Sequence, residues 1–179
     1  SNMVNRLYIL LLICIITASC KEKTPLNKKS ETTTFYLIRH AEKDRSNPSE
    51  QNPNLTLKGL NRAQNWAKYF DSIPINSIYT TSFNRTKQTI IPVSELKDIT
   101  PKIYSPNKID IQNFIKTNRG KNVLISGHSN TTPEMVNKLI NQPKFQDMLD
   151  SDNKSLFVVQ IIDTEVSVEV RSVSISNQL

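Results

Sequence analysis

Apolar positions along the chain fall into two alternating rhythms. Short apolar runs at Thr34–Ile38, Ser77–Thr80 and Asn122–Ser126 have the length of buried strands, and each opens into a polar turn. Between them, apolar residues recur at three- and four-residue spacing, as on one face of a helix. Strands alternating with helical patterns predict βαβ units and a largely parallel sheet. Two later runs, Leu156–Ile162 and Val166–Val173, are joined by Asp163-Thr164-Glu165. The second alternates, with Val166, Val168 and Val170 on one face, so the pair predicts an antiparallel hairpin at the sheet edge. The expected fold class is α/β: a three-layer α/β/α sandwich with a mostly parallel central sheet and an antiparallel edge strand.

Four helices follow from the same periodicity. The first spans Thr56–Phe70, with Leu57, Leu60, Ala63, Ala67 and Phe70 at helical spacing and Leu60, Ala63 and Ala67 as its stripe. The second runs from Phe83 to Ile91, where Pro92 should stop it. The third, Asp110–Thr117, has Asp110 as N-cap and Ile111, Phe114 and Ile115 as its apolar face. The fourth starts at Thr132-Pro133-Glu134, a cap followed by proline and an acid in the first turn. No internal repeat is visible.

The N-terminal pattern is different. Leu7–Ala18 is apolar at eleven of twelve positions, follows Arg6, and ends in Thr17-Ala18-Ser19-Cys20. That is too short to span a bilayer and has the build of a signal-peptide core. Small residues directly before Cys20 resemble a bacterial lipoprotein processing box, with an ordinary cleaved signal or an uncleaved anchor as alternatives. Ser1-Asn2 precede Met3 and read as a cloning remnant. Residues 1–20 are therefore expected to leave the fold, with Cys20 as the lipidation site. Residues 21–33, lysine-rich and polar, form a tether reaching about 20 Å, and residues 34–179 form one domain. The expected location is the bacterial cell envelope, exported and lipid-anchored.

Composition narrows the chemistry. The only cysteines are Cys14 and Cys20, so the mature domain has no thiol nucleophile and no disulfide pair. A net charge of +7 favours anionic ligands. No basic stripe with interleaved aromatics is present, so nucleic acid is not expected as a partner. There are two histidines, and each ends a strand-like run: His40 after Phe35–Arg39, and His128 after Asn122–Gly127. Residues leaving the carboxyl ends of parallel strands line the ligand crevice. Arg39 adjoins the first histidine, and Arg85 lies in the turn after the second strand. Two histidines eighty-eight residues apart make no metal motif, and no serine-hydrolase order fits, because no histidine follows Ser129.

Three ordered elements carry a resemblance: Arg39-His40-Ala41-Glu42, Ser82-x-x-Arg85-x-x-Gln88-Thr89, and Gly127-His128-Ser129, with Leu55-Thr56-x-x-Gly59 and Ala63 between the first two. Together they resemble the histidine phosphatase superfamily, the phosphoglycerate-mutase-like proteins, over residues 34 to 140. The resemblance implies that His40 attacks phosphorus, that Arg39 and Arg85 clamp the phosphoryl oxygens, and that His128 donates to them, with Ser129 beside it. Physical chemistry fits these roles. Imidazole is a competent nucleophile when neutral, nearby guanidiniums disfavour its cation, and planar guanidinium suits bidentate phosphate binding. The leaving-group acid is open: Glu95, Asp98 and Asp110 lie in the expected interval, Asp110 nearest, and Glu42 adjoins the nucleophile.

The function implied is a metal-independent phosphomonoesterase that uses a phosphohistidine intermediate and no cofactor. Its partners would be a phosphorylated small molecule or phosphoprotein and, through the lipid, a membrane. A mutase and a non-catalytic phospho-ligand binder are the alternatives.

Overall fold

The computed structural model of the protein describes residues 30–175. The signal-like segment, Cys20 and most of the expected tether lie outside the described residues. Six strands form one sheet in the order β3-β2-β4-β1-β5-β6. They are β1 (Thr32–Arg39), β2 (Ser77–Thr80), β3 (Lys102–Ile103), β4 (Asn122–Gly127), β5 (Ser155–Ile162) and β6 (Glu165–Ser172). The pairs β1·β4, β2·β4 and β2·β3 are parallel, whereas β5 is antiparallel to both β1 and β6. A mostly parallel sheet with an antiparallel edge is what the apolar runs predict. β1 starts at Thr32, so the domain takes in the last two residues of the expected tether. Thr33 is buried there, and its hydroxyl accepts from the Gly120 amide at 2.9 Å.

Four α-helices cover the sheet: α1 (Leu57–Phe70), α2 (Asn84–Lys97), α3 (Ile111–Thr117) and α4 (Thr131–Ile140). Successive strand side chains point to opposite faces, and the core divides accordingly. Tyr36, Ile38, Ile78 and Leu124 pack with Trp66 and Phe70 of α1 and with Ile90 and Val93 of α2. On the other face Phe35, Leu37, Val123 and Ile125 pack with Phe114 of α3 and with Met135, Val136 and Leu139 of α4. Each fully buried large side chain contributes about 1.5–3 kcal/mol. These two faces fix the directions of the strands and so bring the ends of β1, β2 and β4 to one edge.

Four expectations need correction. Pro92 does not stop α2, which continues to Lys97 with the proline inside. A proline in mid-helix removes one hydrogen bond, but buried Thr89 and Ile90 before it and Val93 after it hold both turns on the core. In α1 the buried stripe is Gly59, Arg62, Ala63, Trp66, Ala67 and Phe70. Leu57 (75% exposed) and Leu60 (45% exposed) face water. The aromatic pair Trp66 and Phe70 outweighs the two leucines and sets the helix rotation. On β6 Val166 and Val170 are exposed and Val168 packs on the core, because the edge strand extends past its cover. α4 starts at Thr131, one residue before the expected cap, with Asn130 as N-cap.

Candidate active site

The nucleophile candidate sits where β1 ends, beside the end of β4. The ladder continues one residue past the strand, with the His40 amide donating to the Gly127 carbonyl at 2.9 Å. Asn153 Nδ2 donates to the His40 carbonyl at 2.9 Å, and the Ala41 amide donates to Thr89 Oγ1 at 2.8 Å. The His40 ring places Nδ1 2.7 Å from the Ala41 carbonyl. A carbonyl only accepts, so Nδ1 carries the hydrogen and Nε2 holds the lone pair. The backbone groups and Nδ1 are thus engaged, and Nε2 is left for chemistry. His40 is 4% exposed. Burial, with the charges of Arg39, Arg85 and His128, pushes its pKa down to about 3 against the opposing pull of the Ala41 carbonyl. The imidazole is neutral throughout the physiological range.

His128 faces it edge-on, ring centroids 5.6 Å apart and planes inclined at 65°. Burial, followed by the charges of Arg85, Lys43 and Arg39, lowers its pKa to about 4. Its Nε2 lies 2.9 Å from Thr81 Oγ1, which lies 2.8 Å from Thr86 Oγ1, whose hydroxyl has the Phe83 carbonyl at 2.9 Å. The His128 amide donates to Thr131 Oγ1 at 3.0 Å. At Gly127 a Cβ would meet Thr132 Oγ1 at 2.8 Å, so the glycine is required by the first turn of α4 packing against it.

The two arginines complete the group. Arg85 Cζ lies 4.4 Å from the Phe83 ring centroid, and Phe83 packs edge-on to His128 at 5.1 Å. Arg85 Nε and Nη1 are buried and have no hydrogen-bond partner; the same holds for Arg39 Nε. The rest of the Arg39 guanidinium is engaged. Nη1 donates to the carbonyls of Leu149, Asp150 and Asp152 at 3.0, 2.9 and 3.1 Å, and Nη2 donates to the Asp150 carboxylate at 3.1 Å. Buried donors left unpaired are costly. Three of them beside two neutral imidazoles describe a receptor for an anion with several oxygens.

Four predicted residues therefore converge: Arg39, His40, Arg85 and His128. The others do not join them in the expected way. Glu42 lines the adjoining cavity of about 610 Å³, but its carboxylate is held by Arg62 Nε and Nη2 at 2.7–3.1 Å. Burial raises the Glu42 pKa, and the hydrogen bonds and charge of Arg62, with Lys58, more than offset this and leave it below the usual carboxylate value. An ionised, paired carboxylate is a poor proton donor. Asp110 caps α3, accepting from the Asn113 amide at 3.1 Å, and among the described contacts it has none with the histidines. Ser129 uses its carbonyl to accept from the Met148 amide at 2.8 Å.

Sequence reasoning missed Thr81, Arg62, Asp150 and Asn153. Thr81 adjoins the Ser82 motif and could have been flagged by it. The other three reach the site through contacts distant in sequence, with no local signal. Among the described residues no group of three or more His, Cys, Asp or Glu side chains could hold a metal ion.

The profile of the histidine phosphatase superfamily (branch 1) matches residues 35–106, which hold Arg39, His40 and Arg85. Over those residues the chain is similar to the histidine phosphatase superfamily. Solved structures agree in fold. A mycobacterial glucosyl-3-phosphoglycerate phosphatase superposes with a TM-score of 0.65 at 10% identity, covering 80% of this chain and 100% of that one. The α-ribazole phosphatase of Shigella flexneri gives a TM-score of 0.61 at 15% identity, covering 82% and 98%. The protein histidine phosphatase SixA, solved with tungstate, gives 0.60 at 13% identity, covering 78% and 96%. No curated protein matches the sequence significantly. The phosphoglycerate-mutase-like architecture read from the motifs is the observed one, a Bacillus anthracis phosphoglycerate mutase also superposing with a TM-score of 0.58.

Proposed function

We propose that the protein is a metal-independent phosphomonoesterase that works through a phosphohistidine at His40. The observation that carries this reading is the set of buried, unpartnered guanidinium nitrogens, Arg39 Nε with Arg85 Nε and Nη1, next to an imidazole whose Nε2 is free. The His40 Nε2 lone pair attacks phosphorus while the leaving oxygen departs on the opposite side. The arginines bind the equatorial oxygens, whose charge grows in a loose transition state. As the N–P bond forms, positive charge develops on the ring, and the Nδ1–H bond to the Ala41 carbonyl stabilises it. Water then attacks the phosphohistidine, and His40 is released neutral.

A binding-only role would not need the tautomer of His40 to be set so that Nε2 stays bare. The solved neighbours described as phosphatases support hydrolysis, and the tungstate held by SixA supports an oxyanion site in this fold. Anchorage of the domain to a bacterial membrane through Cys20 belongs to the same proposal and rests on the N-terminal sequence pattern.

The test uses p-nitrophenyl phosphate and the radiolabelled phosphoprotein. Wild type should turn over and trap an acid-labile, base-stable label in the presence of EDTA, and His40→Ala should do neither. Equal rates in both proteins would sink the reading, and activity lost to EDTA and restored by one metal would remove its metal-independence.

A further inference from the structure

A phosphomonoesterase must protonate its leaving oxygen, and no carboxylic acid around this site is suited to that. Glu42 is bound by Arg62 on both oxygens. Asp150 accepts from Arg39 Nη2 at 3.1 Å and from Arg45 Nη2 at 2.6 Å, and those two hydrogen bonds hold its carboxyl below the usual range. Asp110 is committed to its helix cap. Each is ionised at neutral pH or faces elsewhere.

Lys43 remains. It lies three residues past the nucleophile and lines the same cavity as His40, Arg39 and Asp150. Its backbone is fixed by an antiparallel bridge to Leu55, whose amide donates to Gln88 Oε1 at 2.8 Å, so the lysine is anchored to the helix that carries Arg85. Its side chain is only partly exposed. Among the described residues it forms no ion pair, although four other cations of this region do: Arg39, Arg45, Lys58 and Arg62. It is close enough to act electrostatically on His128 as well. The charged groups around it are Arg85, Arg45 and Arg39, which disfavour its ammonium, and Asp150, which favours it. With partial desolvation as the largest cause, the balance leaves its pKa below the ordinary lysine value.

We propose that Lys43 is the general acid of this site, a role that rests on the phosphohistidine reading above. In the first step the His40 Nε2–P bond forms and the P–O bond to the leaving group breaks. One Nζ–H proton of Lys43 passes to the departing oxygen, leaving a neutral amine. In the second step that amine takes a proton from the attacking water while the new P–O bond forms and the N–P bond breaks. The ammonium is restored and phosphate leaves. Lysine is among the side chains able to serve as general acid and base. The assignment also names a substrate class: alkyl phosphates, whose alkoxide leaving groups require a proton.

The experiment compares p-nitrophenyl phosphate, whose leaving group is a stable anion, with glycerol phosphate, whose leaving group is not. Lys43→Met should lose several-fold in kcat on the aryl ester and about 10²–10⁴-fold on the alkyl ester, the range of general acid catalysis. Lys43→Arg keeps the charge but cannot give up a proton, so it should recover the aryl rate and not the alkyl rate. Equal losses on both substrates, or recovery of both by arginine, would show that Lys43 acts only as a charge and overturn the proposal. A His40→Ala control that matches wild type would overturn the underlying phosphatase reading as well, and is read separately from the lysine variants.

Discussion

Arg39 and Arg85 have the same expected role, yet the structure gives them opposite surroundings. Arg39, 3% exposed, ties the end of β1 to the segment 149–152 through three carbonyls and one carboxylate. One of its nitrogens is unpartnered, against two in Arg85, which rests on Phe83 with no protein acceptor for Nε or Nη1. One guanidinium is therefore mainly a strut with a single spare donor, and the other, on the proposed reading, mainly a ligand arm. A motif records that both must be arginine. It does not record which of them the fold depends on.

The sharpest way to break this contrast is Arg85→Ala. It should lower kcat/KM for p-nitrophenyl phosphate by about 10²–10³-fold, as loss of a preorganised oxyanion donor does. Urea unfolding should shift by no more than about 0.5 kcal/mol, since no protein partner is orphaned. Arg39→Ala should also cut activity, but its distinguishing effect is on stability. Freeing the acceptors on 149–152 should remove about 1–3 kcal/mol. If the two variants unfold alike, the division of roles is wrong. Asp150→Asn is a milder test of the strut. Its carboxylate is 74% exposed, so water screens the pair with Arg39, and the loss should stay under about 1 kcal/mol. A loss as large as that of Arg39→Ala would place the strut in the carboxylate and not in the carbonyls.

A still smaller effect sharpens the comparison by electrostatics. Arg39 precedes Arg85 among the charges that lower His40, and Arg85 is the foremost charge acting on His128. Nitrogen-15 imidazole titrations should show His40 rising more in Arg39→Ala, and His128 rising more in Arg85→Ala. Both should stay below the ordinary histidine value, because burial is the larger cause in each. The acid limb of the rate profile should move to higher pH in step, since a raised pKa protonates the nucleophile sooner. Equal shifts in both variants would mean that neither arginine has a preferred histidine.

Where the sequence was legible, the signal was local. The apolar runs at 34–38, 77–80 and 122–126 located the central strands, and Thr56 and Asp110 marked helix starts where their side chains do accept from Gly59 and Asn113. His40, Arg85 and His128 were visible because the ends of neighbouring parallel strands must share an edge. What stayed hidden depends on packing or on distance along the chain. The rotation of α1 is decided by Trp66 and Phe70 filling the core, against the two leucines that helical spacing favoured. The continuation of α2 through Pro92 depends on tertiary burial that overrides backbone preference. Glu42 looked like a free acid because its partner Arg62 lies on another element, and Asp150 and Asn153 act across more than a hundred residues. Gly59 was legible as part of a motif, but its reason was not. A Cβ there would sit 2.3 Å from the Glu42 carbonyl, so α1 and the turn after His40 share one close backbone contact.

The threonine pair beside His128 has a consequence of its own. With Thr86 pointing its hydrogen at the Phe83 carbonyl, Thr81 points toward Thr86 and the ring supplies the hydrogen at Nε2. With both hydroxyls reversed, Thr81 points at Nε2 and the ring carries its hydrogen on Nδ1 instead. Every hydroxyl hydrogen finds an acceptor in both arrangements, and no heavy atom has to move. The ring can thus exchange its donor and acceptor ends by two bond rotations and a proton shift, with the surrounding packing unchanged.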